Sequence, residues 1–245
     1  MLRGIYIAGS GMLAESMRQD VVANNLANAT TTGYRRSDAT STPFGSMLVT
    51  NMATSQVVSG PINLGSEVSE TRVDTTQGPL QSTGNKLDFA LVGQDGFFQV
   101  RTPAGLRYTR DGSFTLATDG SLTTKDGYPV MGVKGPIKLT PGATTIGVGQ
   151  DGTVSSGNTA VDRMNIVRLD PKTLVKEGDS LMNGTVVNGQ SAATVHQGYL
   201  EGSSVNSVSE MVELIRVMRS FEANQKAVQA QDDTLGQALT KVGVV

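Results

Sequence analysis

Residues 206–245 read NSVSEMVELIRVMRSFEANQKAVQAQDDTLGQALTKVGVV. From Met211 a 3-4-3-4 ladder runs almost to the end: Met211, Leu214, Met218, Phe221, Gln225, Val228, Asp232, Leu235, Leu239 and Val242. All but Gln225 and Asp232 are apolar, the pattern of a helix lying along other helices. Val208, Val212 and Ile215 widen the stripe at its start. Ser207 and Glu210 fit a capping box, with the hydroxyl accepting from the third helical N–H and the carboxylate reaching back to the cap. At about 1.5 Å per residue such a helix spans on the order of 50 Å, longer than a small domain is wide.

A second helix is expected over residues 1 to about 28. Leu13, Met17 and Val21 are spaced by four, as are Val22 and Leu26, with Leu2 and Ile5 beginning the stripe. Glu15 and Arg18 can pair across a turn. Gly9 and Gly11 weaken it, each by about 1 kcal/mol relative to Ala, so it needs a packing partner. The C-terminal ladder is the natural one, which joins the two chain ends in one helical unit. Arg3 and the apolar run Ile5 to Ala14 have some signal-peptide character, but the helical pattern continues through Glu15 and Arg18 without a cleavage site, and the expectation is a segment that is not removed. The helix ends in a polar run, where Asn24, Asn25 and Asn28 serve either as a polar helix end or as amides that bond to neighbouring chains.

Residues 35 to about 78 lack a helical period and are expected as an extended connector with one short strand or turn around Phe44, Met47, Leu48, Val49 and Met52. From Leu80 to Tyr199 the texture becomes β. Short runs such as 87–92, 97–100, 113–116, 144–148 and 164–169 alternate or are β-branched, and Asp-Gly turns punctuate them at 95–96, 111–112, 119–120, 126–127 and 151–152. That spacing indicates an antiparallel sandwich or irregular barrel. The fold class is therefore α+β: long terminal helices paired as a coiled-coil-like unit around a central antiparallel, mainly β domain. The expected divisions are 1–34, 35–78, 79–200 and 201–245.

The 245 residues carry a net charge of −2, no Cys and no Trp, with 6 Phe, 5 Tyr and 29 Gly. Without a basic surplus there is no electrostatic case for nucleic acid. Without Cys there are no disulfides or thiolate sites. No apolar run approaches a membrane span. The only His, His196, has no triad partners in sequence, and Asp88, Asp111, Asp126 and Asp151 fall in or beside turns, where Asp is expected for turn chemistry. No acidic spacing matches a calcium loop, and Gly9-Ser10-Gly11 follows no strand. No catalysis, metal or cofactor is expected. An apolar stripe this long exceeds what one short helix covers, which argues for burial between subunits.

Several stretches then resemble one family, the axial proteins of the bacterial flagellar rod and hook. The opening Leu2-Arg3-Gly4-Ile5-Tyr6 and Ser10-Gly11-Met12-Leu13-Ala14 are similar to that family's start. Ala23-Asn24-Asn25-Leu26-Ala27-Asn28 with Thr31-Thr32-Gly33-Tyr34 resembles its signature. Further boxes are Thr83 to Leu91, Gly96-Phe97-Phe98-Gln99-Val100, Tyr108-Thr109-Arg110-Asp111-Gly112-Ser113-Phe114, and Gly198 to Asn206 before the last helix. The resemblance covers essentially the whole chain. Leu87 to Gly93 and Gly135-Pro136-Ile137 favour a proximal-rod member, whereas Gln99-Val100 and Glu222-Ala223-Asn224 are more like the distal-rod one. Thr30 stands where Asn is common.

The resemblance implies a structural subunit of the torque-transmitting shaft that crosses the periplasm, proximal rod preferred, with the distal rod or another hook or basal-body axial position as the alternative. The termini would form an inner domain and the β region an outer one. Implied partners are copies of itself, other rod and axial proteins, and the flagellar type III export apparatus, without a cleaved signal peptide. The implied assembly interface is Leu13, Met17, Asn24, Asn25, Leu26, Asn28, Met211, Leu214, Met218, Phe221, Gln225, Val228, Leu235 and Leu239. The competing class is a secreted β-domain carbohydrate binder or enzyme whose helices form a private stalk, which requires clustered acids in a cleft.

Overall fold

The computed structural model describes residues 2–43, 47–50, 57–62, 66–139, 146–157 and 159–242. The expectations at Phe44, Met52, Thr144 and Thr145 lie outside them, as do the side chains of Leu2, Met47, Leu48, Val49, Leu239 and Val242. The chain divides into two compact units. The helical unit comprises Met1–Leu26, Ser37–Thr71 and Ser207–Val245, and the β unit Ala27–Arg36 and Arg72–Asn206.

In the helical unit, helix α1 runs Leu2–Ala27 and helix α2 runs Ser207–Val242. Helix α2 is 36 residues long and begins at Ser207, with Glu210 the acidic residue of its first turn. A carboxylate there faces the exposed N–H groups of the helix start. The two helices meet antiparallel. A Cβ on Gly4 would strike the Gln231 amide, one on Gly11 would touch Asn224, the Ser220 hydroxyl donates to Glu15 Oε1 at 3.2 Å, and the Asn25 amide donates to Glu210 Oε2 at 3.3 Å. Arg18 pairs with Glu15 across one turn at 3.8 Å. Of the expected extended connector, more is paired than one short strand: Ser37–Pro43 pairs with Ser66–Val73, and Met47–Thr50 pairs antiparallel with Val57–Ile62. Sequence patterning missed this because Ser37–Pro43 and Ser66–Val73 are mostly Ser, Thr and charged residues, with no clear apolar alternation to read.

The β unit is built on a six-stranded antiparallel sheet in the order Val175–Glu177, Leu181–Asn183, Gly105–Thr109, Gly96–Thr102, Ile166–Leu169, Val186–Gln190. The strand Gly96–Thr102 is buried at every residue but Arg101. Its side chains alternate between two cores: Phe98 and Val100 join Phe89, Leu91, Phe114 and Ile137, whereas Phe97 joins Tyr108, Leu169 and Met182. Covered on both faces, it carries consecutive apolar residues at Phe97 and Phe98 and buries Gln99 and Thr102 as well. Phe98 meets Phe114 edge-on at 5.2 Å, a favoured aromatic geometry. Smaller pairs complete the unit, among them Phe89–Val92 with Thr194–Gln197 and Leu80–Ser82 with Tyr199–Glu201.

The Asp-Gly dipeptides do two different jobs. Gly120, Gly127 and Gly152 have φ near 80°, the left-handed turn conformation that glycine adopts without strain. Gly112 does not. It is glycine because any Cβ there would run into the Phe89 carbonyl, whose residue accepts no such approach while Phe89 N–H donates to Gly112 O at 3.0 Å. Asp119 and Asp151 accept from Ser121 and Thr153 two residues on, which holds both carboxyls below the usual range.

Candidate functional site

Two constellations stand out, one in each unit. In the helical unit, α1 buries Ala8, Ala14, Val22 and Asn25, and a heptad-spaced run of buried and half-buried positions, Gly4, Ala8, Gly11, Glu15, Arg18, Val22 and Asn25, passes along it. On α2 the matching run is Glu210, Leu214, Val217, Phe221, Asn224, Val228, Gln231 and Leu235. The apolar ladder thus splits. Its members Leu214, Phe221, Val228 and Leu235 lie half-buried on the seam, but Met211, Met218, Gln225 and Asp232 are exposed. The seam completes itself with the residues one position earlier (Glu210, Val217, Asn224, Gln231), because the glycines of α1 admit amide side chains there.

The consequence is an uncovered apolar surface on both helices. Val208, Met211, Val212, Ile215 and Met218 on α2 are all exposed, Val208 at 69%, and so are Tyr6, Ile7, Leu13 and Met17 on α1. The other expected interface residues divide similarly. Asn24 is exposed, Leu26 and Asn28 are half-buried, and Asn25 is buried at 1%. Asn25 is occupied within its own unit: its amide donates to the Ser37 carbonyl at 2.8 Å and its oxygen accepts from the Ser37 N–H at 2.9 Å.

In the β unit, the family-like boxes converge on Glu201. Its Oε1 accepts from the Gly78 N–H at 2.9 Å and lies 2.9 Å from Arg35 Nη2, an ion pair not aligned as a hydrogen bond. Its Oε2 accepts from Arg110 Nη1 at 3.2 Å. All three side chains are essentially inaccessible. Arg35 Nη1 also donates to the Thr76 carbonyl, and Arg110 Nη2 to Gly93 O at 2.7 Å, with the Arg110 guanidinium over the Phe97 ring. Burial pushes Arg110 down to about 10, Arg35 pushing the same way and Glu201 opposing. Burial also lowers Arg35 against the pull of Glu201. Two cations share one buried anion.

The backbone around this node is equally committed. Gly33, at φ 68°, donates to the Glu201 carbonyl at 2.8 Å, and a Cβ there would collide with the Arg110–Asp111 backbone. The Thr32 hydroxyl donates to Asp111 Oδ1 at 2.8 Å. Tyr34, 1% exposed, lies beneath the Lys176 ammonium at 3.7 Å. Burial pushes Lys176 down to about 8, with Asp179 opposing. Little in the sequence signals that these charges meet: Arg110 adjoins Asp111, and Arg35, just past the Thr31–Tyr34 stretch, adjoins Arg36, so neither stands out locally, and only Glu201 is a lone charge in its stretch.

The residues weighed for chemistry are spent structurally. Asp88 accepts from Thr83 and Asn85, Asp111 from Thr32 and Ser113, and Asp126 is exposed. His196 stacks edge-on with Tyr199. A cavity of about 360 Å³ is lined by Thr30, Thr32, Asp111, Asp126, Asp179 and their neighbours, and in it the Thr32 hydroxyl is held by Asp111. Among the described residues no cluster of three metal-ligating side chains occurs, and no helix is long and apolar enough to cross a membrane.

Three family models match the chain in order. They are the flagella basal body rod protein model over residues 5–35, the flagellar hook protein FlgE/F/G D1 domain over 91–156, and the flagellar basal body rod FlgEFG protein C-terminal model over 196–241. Relatives align along their full lengths. The chain is 34% identical over 253 residues to the flagellar basal-body rod protein FlgF of Caulobacter vibrioides, covering 100% of both chains. It is 31% identical to FlgG of Buchnera aphidicola, covering 96% of this chain and 98% of that one, and 30% identical to the flagellar hook-basal body complex protein FlhO of Bacillus subtilis, covering 100% of both. With identity at this level along the whole chain, and with the matched segments falling on α1, the β unit and α2, the protein belongs to the flagellar basal-body rod family.

Proposed function

We propose that this chain is a non-catalytic axial subunit of the flagellar rod, in the proximal part, and that its terminal helices associate as a coiled-coil-like inner domain with those of neighbouring copies and of other rod proteins. The β unit forms the outer domain, and residues 35–78 form a second contact layer in the assembly. The subunit is exported by the flagellar type III apparatus without signal cleavage and works within the periplasm as part of the drive shaft. The interface centres on Leu13, Met17, Met211 and Met218 with Ile215 and Val212, flanked by Leu214, Phe221, Val228, Leu235 and Leu239. Leu26 adds an apolar contact, and Asn24, Asn28 and Gln225 supply its polar ones.

The observation that carries this reading is the uncovered apolar face of α2. Burying each of these large side chains contributes about 1.5–3 kcal/mol. With 43–69% of each still exposed, the five on α2 are together on the order of 4–8 kcal/mol gross, which offsets part of the estimated 4–15 kcal/mol cost of association. Left in water, such a patch is unusual for a monomer. The test is to place a charge on the face: Met211→Asp, Ile215→Asp and Met218→Asp, each in the full chain. The monomer should keep its circular dichroism, while incorporation into isolated basal bodies and swimming in soft agar are lost. Wild-type incorporation of all three variants would refute the interface. Proximity labelling from the same subunit then tells proximal from distal position by the neighbours it marks.

A further inference from the structure

We infer that Asn25 determines the register of the helix pair, by selecting the one alignment in which its amide meets Glu210. The inference goes beyond the subunit reading, since it concerns pairing within the chain. Asn25 and Glu210 are 1% and 2% exposed, the most completely buried polar pair across the seam. The Asn25 side chain satisfies Ser37 on both its N–H and its carbonyl and still reaches Glu210 Oε2 at 3.3 Å. One side chain therefore ties the end of α1, the first residue of the strand Ser37–Pro43 and the first turn of α2. The other contacts between the helices among the described residues are looser. Gly4 faces the flexible end of Gln231, Gly11 that of Asn224, and the Glu15–Ser220 bond leaves Glu15 Oε2 without a partner.

The alternative alignments are concrete. Both seams repeat every seven residues, so the next in-phase register slides one helix by a heptad. Sliding one way sets Asn25 against Val217, which is 1% exposed and has no acceptor to offer. The Asn25–Glu210 bond is lost and an amide donor is buried against a methyl group, the costly case for a polar group in a seam. Sliding the other way carries Asn25 past Ser207, where α2 begins. Elsewhere the slide costs less: Gly11 would meet Gln231 much as Gly4 does now, and the part-buried Glu15–Ser220 bond would be lost, Ala227 standing in place of Ser220. Where glycines face interchangeable amides the register is weakly set, and a buried polar contact is the known physical means of setting it.

The chain has no Cys, so introduced pairs are its only thiols. The full chain carrying Gly11→Cys with Asn224→Cys reports the observed register, and Gly11→Cys with Gln231→Cys reports the heptad slip. With Asn25 present, oxidation should form the first disulfide and little of the second. With Asn25→Leu the ratio should shift by about tenfold or more toward the second, the equivalent of one charge-assisted hydrogen bond. Glu210→Leu removes the acceptor while leaving both Asn25–Ser37 bonds in place, and it should shift the ratio the same way. An unchanged ratio in Asn25→Leu or in Glu210→Leu overturns the inference. So does loss of both disulfides in Glu210→Leu, which would make the pair a general stabiliser of the unit.

Discussion

Replacing Glu201 by Gln should destabilise the β unit by about 3–5 kcal/mol. In the native node one carboxylate holds two guanidinium groups and the Gly78 N–H, with side chains 0–1% exposed. The amide keeps one acceptor but turns an NH₂ toward a cation, and it removes, among the described residues, the only carboxylate within ion-pair distance of either arginine. Breaking a buried ion pair from one side costs about 3–5 kcal/mol, because the remaining charge is left uncompensated. Here two are left. Against a typical domain stability of about 5–15 kcal/mol, and with a urea m-value of about 2 kcal/mol/M, the midpoint should fall by about 2 M. Tyrosine fluorescence is a suitable signal in the full chain, since Tyr34, Tyr108, Tyr128 and Tyr199 all lie in the β unit. Arg110→Met should cost less than Glu201→Gln. It strands the Gly93 carbonyl but leaves a neutral Arg35–Glu201 pair. A Glu201→Gln cost below about 1 kcal/mol, or an Arg110→Met cost exceeding it, would show that the node is not held by its anion.

Three glycines should respond differently to alanine, as read by thermal unfolding of the full chain. Gly112→Ala and Gly33→Ala drive a methyl into the Phe89 carbonyl and the Arg110–Asp111 backbone respectively and should lose more than about 2 kcal/mol. Gly9→Ala meets nothing within 4 Å and should strengthen α1 by about 0.5–1 kcal/mol. Lys176 supplies a pH dependence. Its folded-state value is about 8 against an ordinary 10.5, so between those values the unfolded chain binds more protons and stability rises with pH. Lys176→Met should remove that rise, measured as urea midpoints between pH 8 and pH 10.5, whereas a rise of equal size in the variant would place its origin elsewhere.

The two helices were legible in sequence because their cause is local. The ladder from Met211 and the spacing of Leu13, Met17 and Val21 repeat at helical intervals, Ser207 and Glu210 mark a start, and the elements observed are Leu2–Ala27 and Ser207–Val242. The β middle was legible for a similar reason, since Asp-Gly at 119–120, 126–127 and 151–152 forms turns of positive φ. The candidate site was only half legible. The ladder marked Leu214 and Met218 alike, yet the seam takes the first and leaves the second in solvent. The polar seam residues Glu210, Asn224 and Gln231 were passed over because a hydrophobic period cannot weight an amide that fits against glycine.

Helix and turn content, the β character of residues 80–199, the absence of thiol chemistry and the family boxes follow from residues within a few positions of one another. Their energetics are those of i, i+4 contacts, caps and turns. The face on which α1 meets α2, the pairing of Ser37–Pro43 with Ser66–Val73, the bond of Asn25 to Glu210 and the sharing of Glu201 by Arg35 and Arg110 join residues far apart in the chain. Such contacts depend on which distant groups are brought together in a water-excluded place. There a charge or amide is costly unless its partner arrives with it, and no local pattern encodes where that partner will be.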